Sequence, residues 1–285
     1  MPASAYADYL EFACRVAVAA GAAILPHFRR SIDVEDKGGK ADYDPVTEAD
    51  RLAEAFIRGA IEQAYPTHGI FGEEHGRTQG TSPLTWVIDP IDGTRSFILG
   101  QLHWGTLIAL HDGERPVVGV MHQPFVGETF AGAVGAVPQW RRGDERRALK
   151  TRPCARIEDA IVATTDPRHF DVADKSRVYR SVTDGARLIR YGGDCYCYTL
   201  LAMGMVDIVI ETGLQPYDIQ PAGAAASQPV ESARMLDRPP PISSGRSAGA
   251  ANMGASTSAG EANQRNSPPA GPAAAARGSE IPNRP

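Results

Sequence analysis

The sequence predicts a layered α/β (α+β) protein. Segments of helical and strand periodicity alternate in mixed order over the first 220 residues, and no internal repeat organises them. A change of composition near Pro221 limits how much of the 285-residue chain takes part. Residues 5–25 read as a helix: Tyr6, Tyr9, Leu10, Ala13, Val16, Ala17 and Ala20 recur at helical spacing, and Pro26 marks the end. The polar, glycine-containing stretch 31–46 reads as a loop. A second helix runs from 47 to 64, with Thr47 as N-cap and Asp50 at the acidic position of a capping box. Leu52, Phe56, Ala60, Ile61 and Ala64 are expected along its apolar face.

From Gly69 the period changes. Residues 69–72 form a short strand ending in Glu73-Glu74, and 85–89 a β-rich run that stops at Pro90. Asp92-Gly93-Thr94 reads as a turn feeding a short helix, 95–99. Residues 104–111 and 117–123 alternate as paired strands, 125–136 add strand-like text, and the basic stretch 139–150 is a loop or hairpin tip. Strands at 160–165, 188–191 and 206–211 and helices at 176–183 and 195–203 complete the pattern.

Composition excludes several classes. Lys+Arg is 29 against 34 Asp+Glu, a formal net charge of -5, which disfavours nucleic-acid binding by a basic face. No run approaches the roughly 18 unbroken apolar residues of a membrane span. The apolar stretch 16–25 is short and ends at Pro26. Asp8 and Glu11 precede it, where a secretory signal carries positive charge. Cys14, Cys154, Cys195 and Cys197 do not make a disulfide scaffold at this length; reduced thiols and a cytoplasmic location are expected.

The chemistry lies in acids at strand ends. Glu73 and Glu74 close one strand, Asp89 closes another, and Asp92 lies in the turn beyond. Asp218 follows the last strand after a short loop, and Asp44 precedes the second helix. Gathered carboxylates make an oxygen-rich cavity suited to Mg²⁺. In Asp89-Pro90-Ile91-Asp92-Gly93-Thr94, Asp89 can point into that cavity and the turn can aim the Ile91 carbonyl at a cation. Gly93 permits close backbone approach, and Gly93-Thr94 opens a helix whose N–H groups favour phosphate. Metal ligands and a phosphate cradle within six residues point to metal-assisted phosphoryl transfer to water.

Residues 89–94 followed by Ser96-Phe97 resemble the signature of the inositol monophosphatase superfamily of Mg²⁺-dependent, lithium-sensitive phosphatases. The residues 44–50, Gly72-Glu73-Glu74 and Tyr217-Asp218 match further family motifs in order and spacing, so the resemblance covers roughly 5–221. The segments 95–98, 104–110 and 192–196 look most like the histidinol-phosphatase branch. The resemblance implies an αβαβα sandwich of the sugar-phosphatase type. It implies that Glu73, Asp89 and the Ile91 carbonyl hold one Mg²⁺, and that Asp89, Asp92 and Asp218 hold a second, with a third ion near Glu73. Asp44, Thr94 and Glu73 would activate the attacking water, and Gly93 and Thr94 would bind phosphate through their N–H groups. Asp194 and Glu211 fall where the family contacts substrate; two acids suit the ammonium and imidazole of histidinol phosphate. The implied activity is phosphate-monoester hydrolysis, on histidinol phosphate in histidine biosynthesis. Inositol 1-phosphate or another small phosphomonoester is the alternative, and a truncated inactive relative a third reading. The expected partner is a small phosphorylated metabolite, with no nucleic acid and no membrane; family practice suggests a homodimer.

Past Pro221 the chain departs from the family. Residues 221–285 hold 10 of the 22 prolines and lack Phe, Tyr, Trp, His, Lys and Cys. The organisation expected is an N-terminal α+β domain over 1–140 carrying the metal and phosphate motifs, and a partial C-terminal α/β domain over 141–221. A disordered low-complexity tail, out-of-frame in character, then covers 222–285. The C-terminal strands and helix of the family fold are expected to be incomplete, leaving Asp218 without its supporting helix.

Overall fold

The computed structural model describes residues 4–31, 33–37, 45–171, 173–225 and 233–235. Helix α1 (Ser4–Ile24) and helix α2 (Glu48–Ala64) pack together. Between them, β1 (Val34–Asp36) pairs antiparallel with β2 (Pro45–Thr47), a ribbon inside the stretch expected to be a loop. Its strand β1 is exposed throughout, so no alternating hydrophobic face announces it.

The large sheet comprises β3 (Gly69–Gly72), β4 (Gly76–Thr78), β5 (Thr85–Asp92), β6 (Gly105–His111), β7 (Pro116–Gln123), β8 (Glu128–Ala133), β9 (Gln139–Arg142) and β10 (Glu145–Ala148). Its order is β10-β9-β8-β7-β6-β5-β3-β4, with only β3 and β5 parallel. The short helix α3 (Thr94–Ile98) follows β5. The smaller sheet, β12-β11-β13-β14, is wholly parallel: β11 is Ile161–Thr164, β12 Leu188–Tyr191, β13 Ile208–Glu211 and β14 Ala233–Met235. Helices α4 (Ala173–Thr183), α5 (Tyr196–Ala202) and α6 (Pro216–Ala225) complete the elements.

The period-2 alternation of strands builds the layers. On β6, Ile108 and Leu110 face the α1/α2 side, joining Leu10, Ala13, Ala17 and Ile61. Leu107 faces the other way, with Met121 and Phe130, onto Cys195 and Ala202 at α5. In the small sheet Ala163 and Val209 meet α5 residues Cys197 and Leu201. Val162 and Ile210 meet Phe170 and the α4 side chains Tyr179 and Val182. Helix α6 packs with α5 against β5–β8. The layers are thus α1α2, large sheet, α5α6, small sheet, α4, the expected αβαβα sandwich.

Several expectations are corrected. On α2, Leu52 is 50% exposed and Phe56 44% exposed, while Ala49, Asp50, Ala53, Glu54, Ile57, Arg58 and Ile61 are buried. The inward face carries a paired acid and base, which hydrophobic periodicity cannot mark. Strand β5 does not stop at Pro90; it runs to Asp92 across a register shift between Asp89 and Asp92. Chain order past 221 is also present. Helix α6 passes through Pro221 to Ala225, and β14 adds a parallel strand beside β13. Pro216 opens α6, where a missing N–H costs nothing, and Asp218 Oδ2 accepts the Gln215 N–H at 2.7 Å. Asp218 therefore stands in the first turn of a helix, contrary to the expectation that its support is lost. The remainder of the expected disordered tail lies outside the described residues.

The span Tyr6–His27 passes, by length and composition alone, the test for a membrane-crossing helix, which the run-length criterion missed. Half of it is buried within the protein, as a core helix is. Gly21 makes its close approach possible: a Cβ there would stand 2.6 Å from Pro124 Cγ. The cysteines Cys14, Cys154, Cys195 and Cys197 are all free, as expected.

Candidate active site

The acids converge where the strand ends of the large sheet face α5 and α6. Carboxylate oxygens of Asp89, Asp92 and Asp218 lie within 4.8 Å of one another. Asp89 is buried at the end of the regular β5–β6 register, and its Oδ1 accepts the Ile91 N–H at 3.1 Å, locking the turn. Asp92 Oδ2 accepts the Cys195 N–H at 2.9 Å, tying this turn to the start of α5. Thr106 Oγ1 donates to the Pro90 carbonyl at 2.9 Å, bracing the irregular part of β5 from β6. Glu73 lies near enough to the same cluster for its charge to act on Asp89.

Burial and like charge dominate the electrostatics. Burial first, then the Glu73, Asp92 and Asp218 charges, push Asp89 far above the usual carboxylate range. Burial and the Asp194 charge raise Asp92 to about 7. Glu73 is raised by burial, with Lys37 opposing. Lys37 Nζ donates to Glu73 Oε1 at 3.1 Å and Glu74 Oε1 at 2.9 Å. Burial alone would lower the Lys37 ammonium, but Glu73 and Glu74 more than reverse it.

Thr94 Oγ1 donates to the Ile91 carbonyl at 3.1 Å. Its lone pairs thereby remain oriented to accept from a water, and the carbonyl keeps a second lone pair. Gly93 has φ 82°, and a Cβ there would stand 2.6 Å from the His103 carbonyl, so this turn needs glycine. The helix it opens, α3, is only five residues long. Asp44 lies outside the described residues.

Asp194 and Glu211 line one cavity of about 130 Å³ together with Asp92, Asp218, Thr165 and His169. Asp194 (φ 40°) is held by Ser96 Oγ, which donates to its Oδ2 at 2.6 Å. Thr165 donates to Glu211 Oε1 from its N–H at 2.7 Å and its hydroxyl at 2.9 Å. Each acid thus has one oxygen committed to the protein. Burial raises Asp194, and raises Glu211 to about 7.

Sequence reasoning missed the layer beneath. Glu54, fully buried on α2, accepts the Glu74 N–H at 2.6 Å, the His75 N–H at 3.1 Å and Arg58 Nε at 2.7 Å. Arg58 in turn donates to Thr78 Oγ1 at 3.1 Å and to the Gly76 carbonyl. Gly72 carries no side chain because a Cβ would stand 2.1 Å from Glu54 Oε1. The available signal was the i,i+4 Glu54/Arg58 pair beneath a Gly-Glu-Glu strand end. Lys37 and His169 gave no such signal.

A five-layer α+β sandwich with a cluster of carboxylates between its sheets defines the class. The inositol monophosphatase family model matches residues 5–226. The chain is 40% identical over 205 residues to the bifunctional phosphatase IMPL2, chloroplastic, of Arabidopsis thaliana; the match spans 71% of this chain and 57% of that protein. It is 33% identical over 210 residues to a histidinol-phosphatase of Chlorobaculum parvum, spanning 73% of this chain and 78% of that one. The solved inositol monophosphatase of Zymomonas mobilis superposes with a TM-score of 0.68 at 37% identity, covering 78% of this chain and 84% of that one. The chain belongs to the inositol monophosphatase family.

Proposed function

We propose that the chain is a divalent-cation-dependent phosphate-monoester hydrolase whose substrate is a small cationic alcohol phosphate, histidinol phosphate first. One observation carries the substrate class: two acids, the part-buried Asp194 and the buried Glu211, share the cavity that Asp92 and Asp218 enter. An ammonium or imidazolium on the leaving alcohol meets complementary charge there. Inositol, a neutral polyol, gains only hydrogen bonds.

The residues suit a hard divalent ion. The described donors are all oxygens, and like charges push Asp89 upward in a way that a cation would reverse. Glu73, Asp89 and the Ile91 carbonyl would hold one ion, and Asp89, Asp92 and Asp218 a second; Mg²⁺ suits the donor set, and Li⁺ is the expected inhibitor. When bound, such ions lower the pKa of water and offset charge on the phosphate and leaving alkoxide. Thr94 positions the attacking water through its hydroxyl lone pairs while donating to the Ile91 carbonyl. Asp44 and Glu73 are the acids proposed to take its proton. The N–H groups of Gly93 and Thr94 hold phosphate oxygens, and Asp194 and Glu211 hold the organic cation.

The test is phosphate release by the purified chain with Mg²⁺. Histidinol phosphate should turn over far faster than inositol 1-phosphate, and Asp194→Asn should erode that preference. Equal turnover of the two substrates would overturn the substrate reading, and absence of Mg²⁺-dependent release from both would overturn the hydrolase reading.

A further inference from the structure

A second groove among the described residues lies away from these acids. Its volume is about 670 Å³, within the range of small-ligand sites, and it shares no lining residue with the catalytic cavity. One wall is the exposed apolar face of α1, with Val18, Ala19 and Ala22, and Leu25 just beyond. The floor is β7 and β8, with Pro124 and the buried pair His122–Thr129, joined at 2.9 Å. The other wall is the β9–β10 hairpin, which brings Arg141 and Arg146.

Charge singles out this groove. Arg141 and Arg146 stand directly opposite each other in the β9–β10 ladder. Directly opposed like charges destabilise an antiparallel pair. Arg15 approaches from α1, so three guanidinium groups line the groove with one carboxylate, Glu11. Glu11 takes a two-pronged pair from Arg141, at 3.0 and 2.6 Å. Arg141, Arg15 and Arg146 together draw the Glu11 carboxyl below its usual range, so all three lie within electrostatic reach. Arg141 Nε is buried with no hydrogen-bond partner among the described residues. Arg146 donates from Nη1 to the Gly143 and Glu145 carbonyls of its own turn, at 2.7 and 2.9 Å. His122 is held neutral by burial, at about 4, and adds no charge. The groove therefore carries excess positive charge over an apolar wall.

We propose that this groove is a second binding site, for a small organic anion that pairs a phosphate, sulfonate or carboxylate with an apolar body. The anionic group lies between Arg15, Arg141 and Arg146 and relieves the opposed pair. The apolar body lies along Val18, Ala22 and Leu25.

Naphthalene-2-sulfonate is the probe, since a phosphatase cannot consume it. Titration calorimetry with the full chain should give saturable binding in the range of about 1 mM or tighter. Methanesulfonate and 2-naphthalenemethanol, which carry the charge or the body alone, should each bind at least about tenfold more weakly. Arg15→Glu and Arg146→Glu, both exposed, should weaken binding about tenfold or more while keeping the wild-type melt. Asp89→Asn should bind the probe as wild type does, separating this site from the catalytic one. Unaltered binding in both arginine variants, loss of binding in Asp89→Asn, or no binding at millimolar probe would each overturn the proposal. So would a concentration-dependent dimer abolished by Arg15→Glu, which would make the groove an interface between copies.

Discussion

Glu54→Gln is the most informative single change, because it leaves every acid facing the cleft in place. The native carboxylate accepts from two backbone N–H groups of the Glu73-Glu74-His75 turn and from Arg58. The amide has one acceptor oxygen where the acid has two, so its NH₂ must face a donor. Arg58, also buried, loses its counter-charge. Breaking one side of a buried, hydrogen-bonded ion pair costs about 3–5 kcal/mol. For a folded region of this size that is a fall in melting temperature of roughly 6–20 °C. The carboxyl that precedes the clamped amide is Glu73, so divalent affinity should drop as well, by about tenfold for a lost 1.4 kcal/mol of positioning.

The assay pairs a thermal melt by circular dichroism with Mg²⁺ titration well below the variant's melting temperature. Glu62→Gln, exposed on the same helix, is the control and should match wild type in both. The double variant Glu54→Leu, Arg58→Met separates the two effects. Apolar replacement of a buried pair commonly restores stability. It supplies no acceptor for the Glu74 and His75 N–H groups, so Mg²⁺ affinity should stay low. The reasoning is refuted if Glu54→Gln loses less than about 1 kcal/mol, a typical single neutral hydrogen bond. It is equally refuted if the destabilised variant holds Mg²⁺ as tightly as wild type.

Further changes probe the cleft itself. Asp89→Asn should abolish Mg²⁺-dependent phosphate release yet raise the melting temperature of the metal-free protein, because it removes the most crowded buried carboxylate; a lower melt contradicts the repulsion argument. Asp92 and Glu211, both raised to about 7, bind protons more tightly in the folded than in the unfolded chain. Metal-free stability should therefore be fullest below about pH 4 as far as these groups go, and fall as pH rises to about 7. Melts across that range with chelator read the slope, and saturating Mg²⁺ should flatten it. Mg²⁺ binding near pH 6 should accordingly release protons, seen in calorimetry as a heat that depends on the buffer's ionisation enthalpy. Gly93→Ala should abolish activity and destabilise the turn, since its Cβ would meet the His103 carbonyl; wild-type activity there would refute the required backbone geometry.

Legibility in the sequence tracked the physical signal each element carries. Strands β3, β6, β7 and β11 are apolar over most of their length, and they stand close to where periodicity placed them. Thr47 and Asp50 announced the start of α2, and Asp50 Oδ2 indeed accepts from Thr47 N at 2.9 Å and Thr47 Oγ1 at 2.5 Å. The inward face of α2 was illegible because its central pair, Glu54 and Arg58, looks like solvent-facing text. Only their mutual hydrogen bond and the turn they clamp make burial tolerable. Pro90 read as a strand end, since proline removes a ladder donor. The structure instead carries β5 past it by a register shift, with Thr106 bonding the Pro90 carbonyl from the side. Helix α6 was hidden by Pro221 and by alanine- and glycine-rich text without a hydrophobic stripe. Its signals were local: proline at its first position and an acid two residues on.

The site's electrostatics argue against a purely structural role for its acids. A structural carboxylate earns its place by accepting enough hydrogen bonds to stay ionised, as Asp207 does with Arg152 and the Ile161 N–H, which hold it below the usual range. Asp89, Asp92 and Glu73 go the other way: all are raised, with burial the first cause of each. Ser96, Thr165, Cys195 and Glu54 nevertheless fix the acids or the turn that bears them with neutral donors or a second carboxylate, not with cations. Lys37 is the one cation among the described residues that pairs with Glu73, and it comes from the end of β1, outside both main sheets. Rigid positioning combined with withheld countercharge is the signature of a pocket organised for a cation from solution. The same residues that make the metal-free fold pH-sensitive are therefore those proposed to hold the ion and the substrate's charge.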